Sequence, residues 1–209
     1  ITLDTGSPQL PEERITDSGL RARLLYDTLD SAGAPRSGTR VSLETRSPLR
    51  VMGAEVDYTR ALFSASGARS FGRDTLALTL EGGTSFGARM PYYDQFPLGG
   101  FLNLSGYANE QFRGNDMAFA SLAYYRQIAS LPPPLGRGLY LGASLEAGWL
   151  SDGTVQDPDS GAEVVLSPEA TRYGGSIFFG SDTWIGPAYL GLGMSGSGES
   201  TVYVLIGRP

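Results

Sequence analysis

The sequence contains no cysteine, no histidine and no lysine. Without cysteine it has no disulfide framework, no thiolate metal site and no catalytic thiol. Without histidine it lacks the commonest general base and the commonest ligand of zinc, copper and iron, so we expect no metal and no cofactor. Its 16 basic residues are therefore all arginine, the net charge is −6, and no basic stripe with interleaved aromatics occurs. We therefore expect no nucleic-acid partner.

Long hydrophobic runs are also missing. No segment approaches the roughly 18 apolar residues that a membrane-spanning helix requires. This argues against a helical membrane protein and leaves a β-barrel open, because barrel strands are only half apolar. The first residues, ITLDTGSPQLPEER, carry no secretion signal. We therefore expect the sequence to be part of a longer, exported protein.

What the sequence does contain is many glycines and segments in which apolar residues alternate with small or polar ones. Its 29 glycines and 13 prolines disfavour long helices and favour short strands and turns. In GLYLGASLEAGWL (138–150), Leu, Ala and Trp residues alternate with Tyr, Gly, Ser and Glu residues. Side chains in a strand alternate between its faces, so this segment predicts a ribbon with one apolar face and one small, polar face.

The same alternation recurs along most of the chain and predicts an all-β protein: an antiparallel transmembrane β-barrel with about ten strands in this chain. The barrel is expected to be part of a larger one or to be completed by a second copy, since open strand edges are costly in lipid. We expect a polar N-terminal connection over 1–16, a barrel domain over 17–209, and a long, non-periodic loop over 87–115. Eight aromatics near strand ends are expected to form interfacial girdles: Tyr124, Tyr125, Tyr140, Trp149, Tyr173, Trp184, Tyr189 and Tyr203. The predicted strands cover 19–28, 39–46, 54–63, 74–86, 116–128, 138–150, 172–180, 188–195 and 201–207.

The long loop carries a family resemblance. It reads FPLGG (96–100), then LSGY (104–107), then Gly114-Asn115. This order resembles the sixth extracellular loop of the outer-membrane insertase and two-partner-secretion superfamily, also called the bacterial surface antigen family. Together with LEAG (145–148), it looks most like the C-terminal barrels of patatin-like phospholipases, the type Vd autotransporters. The five strands predicted after the loop match the family pattern.

The resemblance implies a lumenal loop whose tip is Leu104, Ser105, Gly106 and Tyr107, supported by Gly99, Gly100 and Gly114. The family tip has an arginine that meets an inward acidic residue. Here Ser105 replaces that arginine, and Glu146 is the acidic residue. Three alternatives remain open for Glu146: a hydrogen bond from Ser105, neutralisation by an inward Arg126, or simple solvation in the lumen. A buried unpaired carboxylate is expensive.

The resemblance also implies a function. The barrel would lie in the bacterial outer membrane and anchor or translocate an attached patatin-like phospholipase domain, and the loop would brace and gate the lumen. Its partners would be outer-membrane lipid, N-terminal passenger and periplasmic domains, the outer-membrane assembly machinery and a second copy of the chain. The alternatives are a small ligand-binding barrel, or an outer-membrane transport or assembly barrel without a lipase.

Two candidate chemical sites carry little weight, and we expect no enzyme activity in this chain. Gly83 to Gly87 matches G-x-S-x-G, but no helix follows and a histidine-dependent triad is impossible. Carboxylates at Asp152, Asp157, Asp159 and Glu163 lack the spacing of a calcium loop. We interpret the first as a strand end and the second as a solvated loop.

Overall fold

The computed structural model describes residues 18–31, 33–54, 56–132, 138–156, 163–183 and 186–207. The described part is all-β, as the alternation predicts, with two short 3-10 helices at Arg50–Met52 and Tyr92–Asp94. No described helix has both the length and the apolar character needed to cross a bilayer. The expected N-terminal connection 1–16 lies outside the described residues. The strands are β1 Gly19–Asp27, β2 Ser37–Pro48, β3 Arg60–Phe71, β4 Asp74–Thr84, β5 Phe96–Leu98, β6 Phe112–Gly114, β7 Met117–Ala129, β8 Leu139–Leu150, β9 Gly153–Gln156, β10 Glu163–Ser167, β11 Ala170–Thr183, β12 Gly186–Ser195 and β13 Ser200–Ile206.

Nine strands form one antiparallel sheet in the order β1-β2-β3-β4-β7-β8-β11-β12-β13. Five of them follow the long loop, as expected. The sheet is not closed among the described residues, where β1 and β13 each pair on one side only. Because nine antiparallel strands alternate in direction, β1 and β13 run the same way. Joining these two edges directly gives a parallel pair, and an antiparallel closure requires an odd number of further strands.

The two faces of the sheet are inverted relative to a water-soluble protein. On β8, Ser144 and Glu146 are buried, whereas Leu145 between them is 72% exposed. On β13, Val204 is 78% exposed while its neighbours Tyr203 and Leu205 are half-buried. Apolar side chains outside and small or polar ones inside are the pattern of a strand that faces lipid.

One predicted strand is displaced. Residues 54–63 were expected to pair, but β3 covers Arg60–Phe71 instead. Its sequence, RALFSASGARSF, has Ala, Ser or Gly on both faces, so hydrophobic contrast is weak and the alternation is hard to see. The nine predicted strands otherwise correspond to the nine in the sheet. The carboxylate-bearing segment after β8, which the sequence predicts to be a solvated loop, contains the additional short β9–β10 hairpin.

The predicted aromatic girdle is only partly right. Tyr124 and Tyr173 lie on the outer face and are exposed. Tyr125, Tyr140 and Tyr189 are instead buried on the inner face, because they share the parity of the small polar residues on their strands. Trp184, also assigned to the girdle, lies outside the described residues. The aromatic side chains of these strands therefore serve the lumen as well as the membrane surface.

Candidate functional site

The long connection between β4 and β7 folds back onto the inner face of the sheet. Within it, β5 and β6 pair Phe96 with Gly114 and so form the stem of the loop. At the end of β5, Gly99 has a φ of 125°, and a Cβ there would lie 2.5 Å from the carbonyl oxygen of Ala108. Glycine is required by both the conformation and the contact. Gly100, with a φ of 113°, continues the turn that sends the chain toward the tip.

The tip of the loop is fixed to a carboxylate on β8. Ser105 donates its main-chain N–H to Glu146 Oε2 and its hydroxyl to Glu146 Oε1, the latter at 2.9 Å. The Ser144 hydroxyl donates to the same Oε1 at 2.5 Å and is 2.7 Å from the Ser176 hydroxyl on β11. Ser105 and Glu146 are both buried. Two strands of the wall and the loop tip therefore form one hydrogen-bonded unit.

No arginine completes this unit among the described residues. Glu146 has no ion pair there, and three donors compensate for its burial instead. Hydrogen bonds to a charged group contribute about 1.5–3 kcal/mol each. Of the three alternatives for Glu146, the structure contains the hydrogen bonds from Ser105 and excludes solvation, since the side chain is buried.

The expected partner Arg126 lies elsewhere, and that expectation is corrected. Arg126 is opposite Leu141 in the β7–β8 register and so points to the outer face. There its Nη1 is 3.4 Å from Asp74 Oδ1, and 57% of its side chain is exposed. Glu146 is opposite Ser121, on the inner face. Along β7, Arg126 is an odd number of residues from Ser121, so the two side chains lie on opposite faces. The sheet therefore separates Arg126 from Glu146.

The wall beneath the tip is made of glycine. A Cβ on Gly174 of β11 would lie 2.3 Å from the Ser105 carbonyl oxygen, and one on Gly193 of β12 would lie 2.6 Å from the Gly106 nitrogen. Gly106 itself has a φ of 96°, and a Cβ there would meet the Ser195 nitrogen at 2.1 Å. Main chain therefore packs directly on main chain, and the tip fits only because these side chains are absent.

The last strand also holds the tip. The Tyr203 hydroxyl accepts from the Gly106 nitrogen at 3.0 Å and donates to the Tyr107 carbonyl at 2.7 Å. The Thr201 hydroxyl donates to the Gly106 carbonyl at 3.0 Å. These contacts involve only the main chain of the loop. Position 106 requires glycine because no side chain fits there. The main-chain nitrogen and carbonyl of Gly106 are both hydrogen-bonded.

Leu104 is the strained residue of the tip. It has a φ of 82°, which for a non-glycine residue costs about 1–3 kcal/mol, yet its side chain is completely buried. It packs in a cluster with Tyr107, Phe96 and Leu98 of the loop and with Leu150 of β8. Burial of the leucine and the hydrogen bonds of Ser105 next to it offset the strain.

Sequence reasoning missed a second anchor at Asp94. This buried carboxylate accepts from Arg46 Nη1 on β2 at 2.6 Å and lies 3.5 Å from Arg60 Nη1 on β3. It also accepts from the Tyr58 hydroxyl. Burial, and then the bond to Asp94, raise the pKa of Tyr58 above its ordinary value. No periodicity marks Asp94 within the loop, so only the half-buried arginines of β2 and β3 could have signalled an acidic partner.

The loop is thus fixed to both halves of the sheet. Asp94 binds the strands that precede it, whereas Ser105, Gly106 and Tyr107 bind the strands that follow. Phe101 adds an aromatic contact, with ring centroids 5.6 Å from Phe178 and 5.3 Å from Tyr189. Gly114 ends the stem, where a Cβ would lie 2.6 Å from the Ser151 carbonyl oxygen.

A cavity of about 560 Å³ remains on the inner face. Residues 101–103 of the loop and residues 33–35 of the β1–β2 connection both line it. One wall, from β1 to β4, carries charged and hydroxyl groups, and the opposite wall is aromatic. The charged and hydroxyl residues include Arg23, Arg40, Glu44, Glu81, Ser64 and Thr79; the aromatic residues are Phe119, Tyr125, Tyr140, Phe178 and Tyr189.

The two candidate chemical sites lie at the end of β4 and in the segment after β8. Ser85 is buried at the end of β4, and a turn with positive φ at Phe86 and Gly87 follows it. Asp152 Oδ1 accepts from the Glu169 nitrogen at 2.6 Å. Asp157 and Asp159 lie outside the described residues, as does the side chain of Glu163. Within the described part, no group of three acidic side chains is arranged to bind a metal.

Comparison with known proteins identifies one family. The family model described as the Omp85 superfamily domain matches residues 10–198, which includes the whole of the loop and the strands from β1 to β12, but not β13 with Thr201 and Tyr203. No match is found among curated proteins.

Proposed function

The chain belongs to the Omp85 superfamily, and from this premise we propose that it forms an outer-membrane barrel whose lumen is gated by the long loop. Proteins of this superfamily are outer-membrane transport and assembly barrels. The inverted faces of the sheet agree with that environment. The observation that carries the proposal is the loop tip hydrogen-bonded to Glu146 inside the lumen.

Gating by the loop follows from how it is held. The tip is held in the lumen by a small set of polar contacts, to one buried carboxylate and to the Tyr203 hydroxyl, beside the buried side chain of Leu104. The polar contacts can be exchanged for hydrogen bonds to water when the tip leaves. The second anchor at Asp94 keeps the stem of the loop attached to β2 and β3 while the tip moves.

The more specific proposal is that the barrel anchors or translocates an attached patatin-like phospholipase domain, as a type Vd autotransporter does. The order of FPLGG, LSGY and LEAG supports it. Its test uses the native protein, recovered from outer membranes with an antibody against the barrel. We expect a mass well above 22.2 kDa and co-purifying phospholipase activity. A transport barrel without lipase activity would overturn the specific proposal and leave the superfamily assignment untouched.

We assign no catalytic role to the chain itself. Ser85, the serine of GTSFG, is buried at a strand end, and the sequence contains no histidine to activate it. The alternative of a small soluble ligand-binding barrel predicts solubility without detergent. The membrane barrel instead predicts heat-modifiable migration in detergent.

The gate is tested by conductance in planar bilayers. We expect replacement of 101–107 by a short Gly-Ser turn to increase the mean conductance, because the tip then no longer fills the lumen. Leu145→Ala is the matched control, since Leu145 lies beside Glu146 in sequence but faces outward. If the loop variant folds and its conductance and passenger location equal those of the wild type, gating by the loop is wrong.

A second copy of the chain is a further proposed partner, and the geometry restricts how it could bind. Two copies in the same membrane orientation present β1 and β13 edges that all run in one direction. Closure by a homodimer therefore requires parallel pairs at both seams. The mass of the purified protein in detergent tests this proposal, and a monomer there would contradict it.

A further inference from the structure

The connection between β1 and β2 also enters the lumen, at the end opposite the long loop. We call residues 30–31 and 33–36 the strap. The Ser31 hydroxyl donates to Asp182 Oδ2 on β11 at 2.9 Å. Ala34 is buried, and Gly33 packs so closely on Pro187 of β12 that a Cβ there would lie 2.2 Å from the proline Cβ. The strap therefore extends from β1 and β2, at one edge of the sheet, to β11 and β12 near the other edge.

Two buried tyrosines hold the strap by its main chain. The Tyr189 hydroxyl donates to the Gly33 carbonyl at 2.6 Å, and the Tyr125 hydroxyl donates to the Pro35 carbonyl. These bonds do not depend on the side chains of the strap. Strand parity turns these two tyrosines inward, and the strap carbonyls supply the partner that each buried phenol hydroxyl needs.

Arg36 fixes the other end of the strap. Its Nη1 donates to Gln127 Oε1 on β7 at 2.9 Å, and its Nη2 donates to the Gly72 carbonyl in the β3–β4 turn at 2.5 Å. The strap is thus tied to β7, β11, β12 and the β3–β4 turn. None of these hydrogen-bonding groups holds the tip of the long loop.

We propose that the strap is a second closure of the lumen, which opens independently of the long loop. The cavity of about 560 Å³ is lined by both segments, by 33–35 of the strap and by 101–103 of the long loop. A solute or polypeptide that crosses the barrel must displace both. This inference rests on the proposed transport role and adds to it a second barrier, formed by the strap rather than by the long loop.

The tyrosine hydroxyls allow the strap to be tested alone. Tyr189 contacts both segments, since its ring lies 5.3 Å from that of Phe101. Tyr→Phe changes keep that ring and remove only the hydroxyl. The matched control is Tyr203→Phe, because the Tyr203 hydroxyl binds the loop tip and not the strap.

The first measurement is the labelling rate of Ala34→Cys by a bulky maleimide on the purified protein in detergent. No other cysteine is present, and the buried position makes the thiol slow to react while the strap is closed. One hydrogen bond contributes about 0.5–1.5 kcal/mol, so Tyr125→Phe and Tyr189→Phe are each expected to raise the rate about two- to tenfold. Tyr203→Phe is expected to leave it unchanged.

The second measurement needs no cysteine. Trypsin cleavage after Arg36 in the native sequence is expected to accelerate in the Tyr125→Phe/Tyr189→Phe variant. Rapid labelling of Ala34→Cys without any tyrosine change, or equal labelling and cleavage in all variants, would contradict the proposal that the strap closes the lumen. Loop variants that fail to raise conductance while the strap probes respond would overturn only the proposed loop gate.

Discussion

Ser105 and Glu146 are joined by two hydrogen bonds, one from the main-chain nitrogen and one from the side chain of the serine. Only the second depends on the residue type. The Ser105 hydroxyl also accepts from the Leu102 nitrogen at 3.0 Å, so it links the turn of the tip to the barrel wall. The carboxylate on β8 and the hydroxyl at position 105 therefore hold the tip together, and the main-chain hydrogen bond alone is independent of the residue at 105.

Glu146→Ala is expected to release the loop tip. It leaves the Ser105 nitrogen, the Ser105 hydroxyl and the Ser144 hydroxyl without their shared acceptor, and each buried unsatisfied donor costs about 1–3 kcal/mol. We expect docking of the tip to weaken by at least about 2 kcal/mol. The measurement is the rate of trypsin cleavage after Arg113 in the loop. Leu145→Ala, on the outer face of the same strand, should cleave like the wild type.

Ser105→Arg is expected to destabilise the loop, although it restores the residue that the family resemblance implies. Ser105 is completely buried, and a Cβ added at Gly193 would lie 3.0 Å from the Ser105 Cβ, so the wall leaves no room for a guanidinium. Heat-modifiable migration in detergent reports the unfolding temperature. We expect it to fall for Ser105→Arg and to change little for Ser105→Thr. An unfolding temperature above that of the wild type would show that an arginine fits.

Gly174→Ala is expected to expel the tip by steric overlap. Its Cβ would lie 2.3 Å from the Ser105 carbonyl oxygen, a main-chain atom that cannot turn away. Gly82→Ala is the matched control, because a Cβ at Gly82 meets nothing within 4 Å. Faster cleavage after Arg113 is expected only for Gly174→Ala. Equal cleavage in the two variants would mean that the tip is not seated on β11.

Alternation was sufficient to predict most of the sheet and the inward position of Glu146. It failed for β3, where Ala, Ser and Gly occupy both faces. The inward assignment of Arg126 conflicts with the same alternation, because Arg126 shares its parity on β7 with Leu122 and Tyr124, which are exposed on the outer face. In the loop, no period exists to place Asp94, so its contacts with Arg46 and Arg60 depend on tertiary structure alone.

The aromatic residues also show how far sequence alone can predict the position of a side chain. Tyrosine at a strand end is consistent with a membrane interface and with the lumen alike. Parity decides between them, and parity puts Tyr125 and Tyr189 beside the strap. The sequence contains that parity, but it indicates nothing about the main-chain carbonyls that the hydroxyls bind.

The Tyr58–Asp94 contact predicts loss of stability at alkaline pH. Burial, and then the bond to Asp94, raise the pKa of Tyr58 in the folded protein, whereas an unfolded tyrosine loses its proton near about pH 10. Above that pH the unfolded state binds fewer protons than the folded state, so the free energy of unfolding falls as pH rises. Tyr58→Phe is expected to flatten this fall, because it removes the titrating group. The unfolding temperature in detergent, measured from about pH 8 to about pH 11, checks it. Tyr26→Phe is the control, since Tyr26 is exposed on the outer face of β1 and should keep the wild-type slope. Equal slopes for Tyr58→Phe and the wild type would remove Tyr58 as the cause.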